Sequence, residues 1–153
     1  MIVKDLAAFD VKSCNADTDL ATVARIMWDC DCGIVPVVNE ERKVIGVITD
    51  RDICIAAATR AARPADIPVR DAMSGDVAAC GIGDDVRVAL RTMKERRVRR
   101  LPVLDGQERL AGIISMNDLV MRARCRAGAD VSGDEFLDTL KAICTHSKEA
   151  VPA

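Results

Sequence analysis

Apolar and polar positions follow two different periods along this chain. After Asp17, Thr18 and Asp19, which carry N-cap chemistry, Leu20, Val23, Ala24 and Met27 recur at helical spacing and predict a helix burying that stripe. Two short apolar runs follow, Ile34–Val38 and Val44–Thr49, separated by the polar turn Asn39 to Lys43. A second helix is expected from about Asp50 into the alanine-rich stretch Ile55 to Ala62. Further on the order recurs. Asp84 and Asp85 precede Val86, Ala89, Leu90 and Met93, then come strands Arg100–Leu104 and Leu110–Ser115 around an Asp-Gly turn, and a helix from Met116. Pro36 and Pro102 suit edge or irregular strands better than central ones. Each series also has a short β-like lead-in, around Val11 and around Val77, and Pro64 and Pro68 mark the connection.

The recurrence is a tandem duplication. An offset of 66 residues lays positions 3–53 on 69–119 without a gap, with identities that include Asp10/Asp76, Cys14/Cys80, Met27/Met93, Pro36/Pro102, Gly46/Gly112 and Asp52/Asp118. A unit of this size has a marginal core of its own, so the copies are expected to pack on each other about a pseudo-twofold axis, with equivalent clefts between them. The predicted organisation is a first repeat at 1–63, a linker at 64–68, a second repeat at 69–127 and an amphipathic helix at 132–147. That last helix opens on the capping-box pattern Ser132-Gly-Asp-Glu135 before Phe136, Leu137, Leu140, Ile143 and Cys144.

Composition narrows the chemistry. Half of the residues are apolar but only Phe9, Trp28 and Phe136 are aromatic, so the core is aliphatic and there are few rings on which bases could stack. The formal charge of −2 gives no drive toward nucleic acid or anionic lipid. His146 is the single histidine, which argues against a histidine-centred triad or a multi-histidine metal site. The seven cysteines are an odd number scattered through apolar patterns and read as reduced core residues; Cys30 and Cys32 form the one close pair and lack partners at zinc-site spacing. Charges at Lys4, Asp5, Asp10 and Lys12 interrupt any secretory h-region, and no run reaches the ~20 apolar residues of a membrane span. A cytoplasmic protein is expected.

The most informative string is Gly46-Val-Ile-Thr-Asp-Arg-Asp52, matched by Gly112-Ile-Ile-Ser-Met-Asn-Asp118. In each, a strand ends in a hydroxyl residue and an aspartate follows three residues later in the first turn of a helix. The hydroxyl suits a cap or a phosphate or ribose oxygen, the helix start favours an anion, and the aspartate can accept the hydrogens of a ribose diol. The same residues also serve as ordinary helix caps, and the pattern by itself leaves the two readings open.

With Ile34-Val-Pro-Val37, Arg99-Arg-Leu-Pro-Val103 and the lead-ins Val3-Lys-Asp5 and Val69-Arg-Asp71, these motifs resemble tandem cystathionine β-synthase-type (CBS) repeats over roughly residues 1–127. The chain is similar to a stand-alone Bateman module of bacterial type. The resemblance implies an α/β (α+β) fold of two β-α-β-β-α repeats plus the C-terminal helix. It also implies adenine-containing ligands (AMP, ADP, ATP, NAD or S-adenosylmethionine) in the clefts, as regulators and not as catalytic cofactors. By position, Asp52 and Asp118 would hold ribose hydroxyls, while Thr49 and Ser115 would contact ribose or phosphate. The backbone at Ile34, Val35 and Pro36 and at Arg100, Leu101 and Pro102 would line the adenine pocket, with Ile48 and Ile114 adding apolar surface. The segments Cys14, Asn15, Ala16 and Cys80, Gly81, Ile82 would complete its walls. Met116-Asn117 in place of Asp50-Arg51 removes a phosphate-facing cation from the second copy, so the clefts are expected to differ.

The run Lys94, Arg96, Arg97, Arg99, Arg100 is either a solvated helix end or a source of phosphate donors, Arg99 and Arg100 foremost. The expected function is a non-catalytic sensor that binds an adenine ligand and signals to a regulated protein, with a homodimer formed through helices. The alternative is a structural or interaction module with no nucleotide ligand. An enzyme is disfavoured by the missing Walker-type loop and Rossmann fingerprint.

Overall fold

The computed structural model describes residues 1–122 and 131–145. Cys125, His146 and the expected ends of the second repeat and the tail lie outside these residues. The first repeat contains helix α1 (Leu20–Asp29), strands β1 (Ile34–Val38) and β2 (Val44–Thr49) and helix α2 (Asp50–Thr59). The second contains β3 (Cys80–Gly81), α3 (Val86–Arg96), β4 (Arg100–Leu104), β5 (Leu110–Ser115) and α4 (Met116–Arg122), and α5 (Gly133–Cys144) ends the described chain.

The two hairpins are copies in detail. β1 pairs antiparallel with β2 and β4 with β5, each with a register shift at the fourth strand residue, Val37/Val38 and Val103/Leu104. Left-handed backbone recurs at equivalent positions, Asp31 and Arg97 after the first helices and Arg42 and Glu108 in the turns. The leading strand pairs at Cys14, which bridges Val37 in parallel, and at Cys80–Gly81 beside β4. It therefore falls at the buried cysteines and not at the half-buried Val11 and Val77, where a lead-in was expected.

Two further expectations are corrected. β4 is the central strand of its three-stranded sheet despite Pro102. The first repeat shows why: Cys14 donates to the Pro36 carbonyl at 3.1 Å and accepts from Val38 N–H at 2.9 Å, so the ladder steps over the proline nitrogen. On α1, Leu20, Val23 and Met27 are buried but Ala24 is exposed, whereas its counterpart Leu90 on α3 is buried. The difference is α5, which packs on α3 and sinks Phe136 into the second core. Among the described residues no helix covers α1 in the same way.

The repeats are joined by an exchange of their lead-ins. Val3 N–H bonds to the Asp84 carbonyl at 2.8 Å, and Val69 N–H bonds to that of Thr18 at 2.8 Å. Ala8 pairs with Ile113 on β5, and Ser74 with Val47 on β2. The apolar residues follow the backbone. Val3 and Leu6 belong to the core of the second repeat, and Ile67 and Val69 to the core of the first. Gly46 and Gly112 permit this crossing: a Cβ on Gly46 would lie 3.0 Å from the Ser74 carbonyl, and one on Gly112 would overlap that of Ala8.

Candidate functional site

The exchange of lead-ins brings the end of β2, the start of α2 and the lead-in of the second repeat to one edge. Opposite them stands the segment joining α3 to β4, and a cleft of about 610 Å3 lies between. Ile34, Thr49, Arg51 and Asp52 line it from the first repeat, and Arg99, Arg100 and Pro102 from the second. Both hydroxyl-aspartate pairs are capping boxes. The Thr49 hydroxyl and backbone N–H donate to Asp52 Oδ2 at 2.7 and 2.9 Å, and Asp52 N–H returns a bond to Thr49 Oγ1 at 3.3 Å. Ser115 and Asp118 repeat this at 2.5, 2.9 and 3.1 Å. The cap uses Oδ2 alone; among the described residues no hydrogen bond reaches Oδ1 of either half-buried aspartate. Capping and ligand contact are therefore compatible in one side chain.

The charge of the cleft is set by the α3 end. Arg97 closes α3 in the left-handed conformation at φ 53°, which turns the chain back so that Arg96, Arg97, Arg99 and Arg100 all edge the cleft with Arg51. Arg96 is paired with Asp76, whose carboxyl it holds below the usual carboxylate range by hydrogen bonding and charge. The others outnumber the remaining acid, Asp52, so the cleft is cationic. At the 66-residue offset, Arg96 to Arg100 correspond to Cys30, Asp31, Cys32, Gly33 and Ile34. That equivalent stretch carries no basic residue.

Other candidate residues are placed elsewhere. Val35, Ile48, Leu101 and Ile114 have no exposed surface and belong to the cores, and Pro36 is buried in β1. Cys14 and Cys80 are buried too; burial pushes their thiols up to about 11 and about 12. Asn15 is an exposed turn residue, accepting from the N–H groups of Asp17 and Thr18 at 3.0 Å, in a separate hollow with Cys14. Ala16 and Ile82 give their carbonyls to Arg70 and Lys4, inside the lead-in exchange, and Gly81 N–H bonds to Asp84. Sequence reasoning assigned neither Val47 of β2 nor Val98 before β4 to the site, and it missed four further lining residues. Ser74, Asp76 and Ala78 arrive with the exchanged lead-in, and Ile143 with the end of α5. A local pattern signals only the last, through the apolar stripe of the tail.

The family model of the CBS domain matches this chain twice, at residues 3–58 and 69–124. The chain belongs to the CBS domain family. Each match holds one hydroxyl-aspartate pair, and the lead-in exchange joins the two CBS domains to each other. An uncharacterized protein of Methanopyrus kandleri, MK0525, is 31% identical over 118 residues, which are 77% of this chain and 60% of that protein. The chain thus spans less than two thirds of this relative. Among solved structures, the conserved CBS domain protein TA0289 of Thermoplasma acidophilum superposes with a TM-score of 0.77 at 21% identity, over 93% of this chain and 75% of that one. The CBS domain pair of protein MJ0100, solved with 5′-methylthioadenosine and S-adenosyl-L-methionine, superposes with a TM-score of 0.71 at 22% identity, over 79% and 94%. Among the described residues, no helix is long and apolar enough to cross a membrane.

Proposed function

We propose that this CBS pair is a non-catalytic sensor that binds an adenine-containing ligand in the cleft at Thr49 and Asp52 and reports its presence to a partner protein. One observation carries the reading. A half-buried carboxylate with one uncommitted oxygen stands across a 610 Å3 cleft from a run of arginines, which matches a ribose diol at one end and a phosphate at the other. The adenosyl ligands of the MJ0100 pair support the same ligand class. AMP, ADP, ATP and NAD suit the cationic edge, while S-adenosylmethionine lacks a phosphate to use it. The Ser115 and Asp118 pair repeats the carboxylate geometry without a comparable cationic run and is the weaker nucleotide site in this reading. A ligand that bridges the repeats changes their relative poise, and a partner reads that change.

The capping boxes favour a second reading, in which Asp52 and Asp118 serve helix starts alone and the pair is a structural or interaction module. Thermal unfolding with AMP, ADP, ATP, NAD and S-adenosylmethionine separates the two. A ligand at 100 times its Kd stabilises the folded state by about 2.7 kcal/mol, and the melting temperature rises accordingly. No rise with any of the five selects the module without a ligand.

A further inference from the structure

The cleft at Thr49 and Asp52 contains its own rival for a bound anion. Asp76 and Arg96 both line it and are paired with each other. They come from different places in the fold: Arg96 ends α3, whereas Asp76 lies on the segment that crosses from one repeat to the other. That segment is held at both ends. Ser74 exchanges backbone hydrogen bonds of 2.9 and 3.0 Å with Val47 on β2, and Cys80 pairs with Val103 on β4. Asp76 therefore meets the arginine edge from a tethered backbone. Hydrogen bonding and the charge of Arg96 keep its carboxyl below the usual carboxylate range, so it is ionised at neutral pH. The pair is peculiar to this copy. Asp10 is the mate of Asp76 at the offset of 66, but the mate of Arg96 is Cys30, so the duplication repeats the aspartate and not the pair.

We infer that Asp76 is an internal competitor for phosphate: its carboxylate occupies on Arg96 the place that an outer phosphate of a nucleotide takes, and so it sets the preference of the cleft by phosphate count. The inference rests on the nucleotide reading of the cleft given above. A guanidinium offers the same forked donors to a carboxylate and to a phosphate, so Arg96 serves one of them at a time. Both members of the pair are exposed, and exposed ion pairs hold weakly, so a group of higher charge displaces the carboxylate. A nucleoside monophosphate is served by Arg51, Arg97, Arg99 and Arg100 and leaves the pair intact. A nucleoside triphosphate takes Arg96 as well, and the freed Asp76, tethered beside it, repels the polyanion. Asp76 thereby reduces the advantage that additional phosphates would otherwise gain from the cationic edge.

The test is titration calorimetry of AMP and of ATP, without divalent cations, on the full chain. The proteins are wild type, Asp76→Asn, Arg96→Gln, the double variant, and Asp10→Asn as the control from the other copy. All three substituted residues are exposed, and circular dichroism checks that each variant retains its fold. Asp76→Asn is expected to tighten ATP binding at least about fivefold more than AMP binding. The same change made in Arg96→Gln is expected to leave the ratio of ATP to AMP affinity where it was, as is Asp10→Asn. Equal effects on the two nucleotides, or no effect on either, overturn the inference, because Asp76 then does not discriminate by phosphate count. A gain for ATP that persists without Arg96, or that Asp10→Asn matches, overturns it too, because the aspartate then does not act through this pair. Each of these results leaves AMP binding, and with it the nucleotide reading, in place. Binding of neither nucleotide to any of the five proteins overturns both.

Discussion

Gly112 lies directly beneath the carbonyl of Ala8, so closely that a Cβ on the glycine would overlap the oxygen. The obstruction is backbone held at both ends: Ala8 N–H donates to the Ile113 carbonyl at 2.9 Å and its own carbonyl accepts from Ile113 N–H at 2.9 Å. Gly46, the mate of Gly112, meets the flexible Met73 sulfur at 2.8 Å before the Ser74 carbonyl at 3.0 Å. Gly112→Ala is therefore expected to cost about 2–3 kcal/mol and Gly46→Ala about 1 kcal/mol. Urea unfolding of the two variants checks this; equal effects would mean that the lead-ins do not hold the repeats as described.

The cationic edge predicts a charge-dependent affinity. Arg99→Ala and Arg100→Ala are each expected to weaken ATP binding by roughly ten- to a hundredfold, as removal of a charge-assisted donor does, and to leave adenosine binding nearly unchanged. Raising the salt concentration should narrow the difference between ATP and adenosine in wild type. Titration calorimetry with the two ligands reads both effects, and equal losses for ATP and adenosine would place the phosphates elsewhere.

The buried thiols predict a graded reactivity and a pH effect. Cys30, Cys54 and Cys144 are exposed, whereas Cys14 and Cys80 are buried with thiols that ionise only near 11 and 12. Mass spectrometry after brief alkylation is expected to find the exposed three modified first. Because the folded state holds these two protons more tightly than the unfolded chain, the associated stability is complete below pH 9.0 and is lost as pH rises from there toward 11 and 12. Urea midpoints should fall on that alkaline limb, and less steeply in Cys80→Ala.

Ser132 caps α5 by accepting from Glu135 N–H at 3.2 Å, while Glu135 accepts from Ser132 N–H at 2.8 Å. Ser132→Ala is expected to cost about 1 kcal/mol of helix stability. Hydrogen exchange should quicken over α5 and over the face of α3 that it covers, and unchanged exchange in α3 would contradict the packing of α5 on α3.

Much of this architecture was legible because local signals and the repeat agree. The four hairpin strands sit where apolar runs end at polar turns, and α3 buries the stripe its spacing predicts. What escaped depends on pairing between distant segments. Ser74, Asp76 and Ala78 reach the cleft only through the exchange of lead-ins, for which Gly46 and Gly112 were the one trace. Ala24 has the helical spacing of a buried residue and is exposed, because burial at the equivalent position of α3 is supplied by α5 and, among the described residues, no helix covers α1 in the same way. Residues such as Ile48 and Ile114 combine the right strand position with the wrong side of the sheet for direct contact, since alternate side chains of β2 and β5 enter the cores.

The ribose contact at Asp52 is tested most directly by titrating AMP into wild type and Asp52→Asn. Asparagine retains an oxygen that can accept from Thr49 N–H but replaces the other carboxylate oxygen with a donor, so the cap is largely kept while the acceptor for a ribose hydroxyl is lost. The account predicts saturable binding in wild type, and at least about tenfold weaker binding in Asp52→Asn. Equal affinity in the two proteins, or no binding of AMP to wild type, would contradict it.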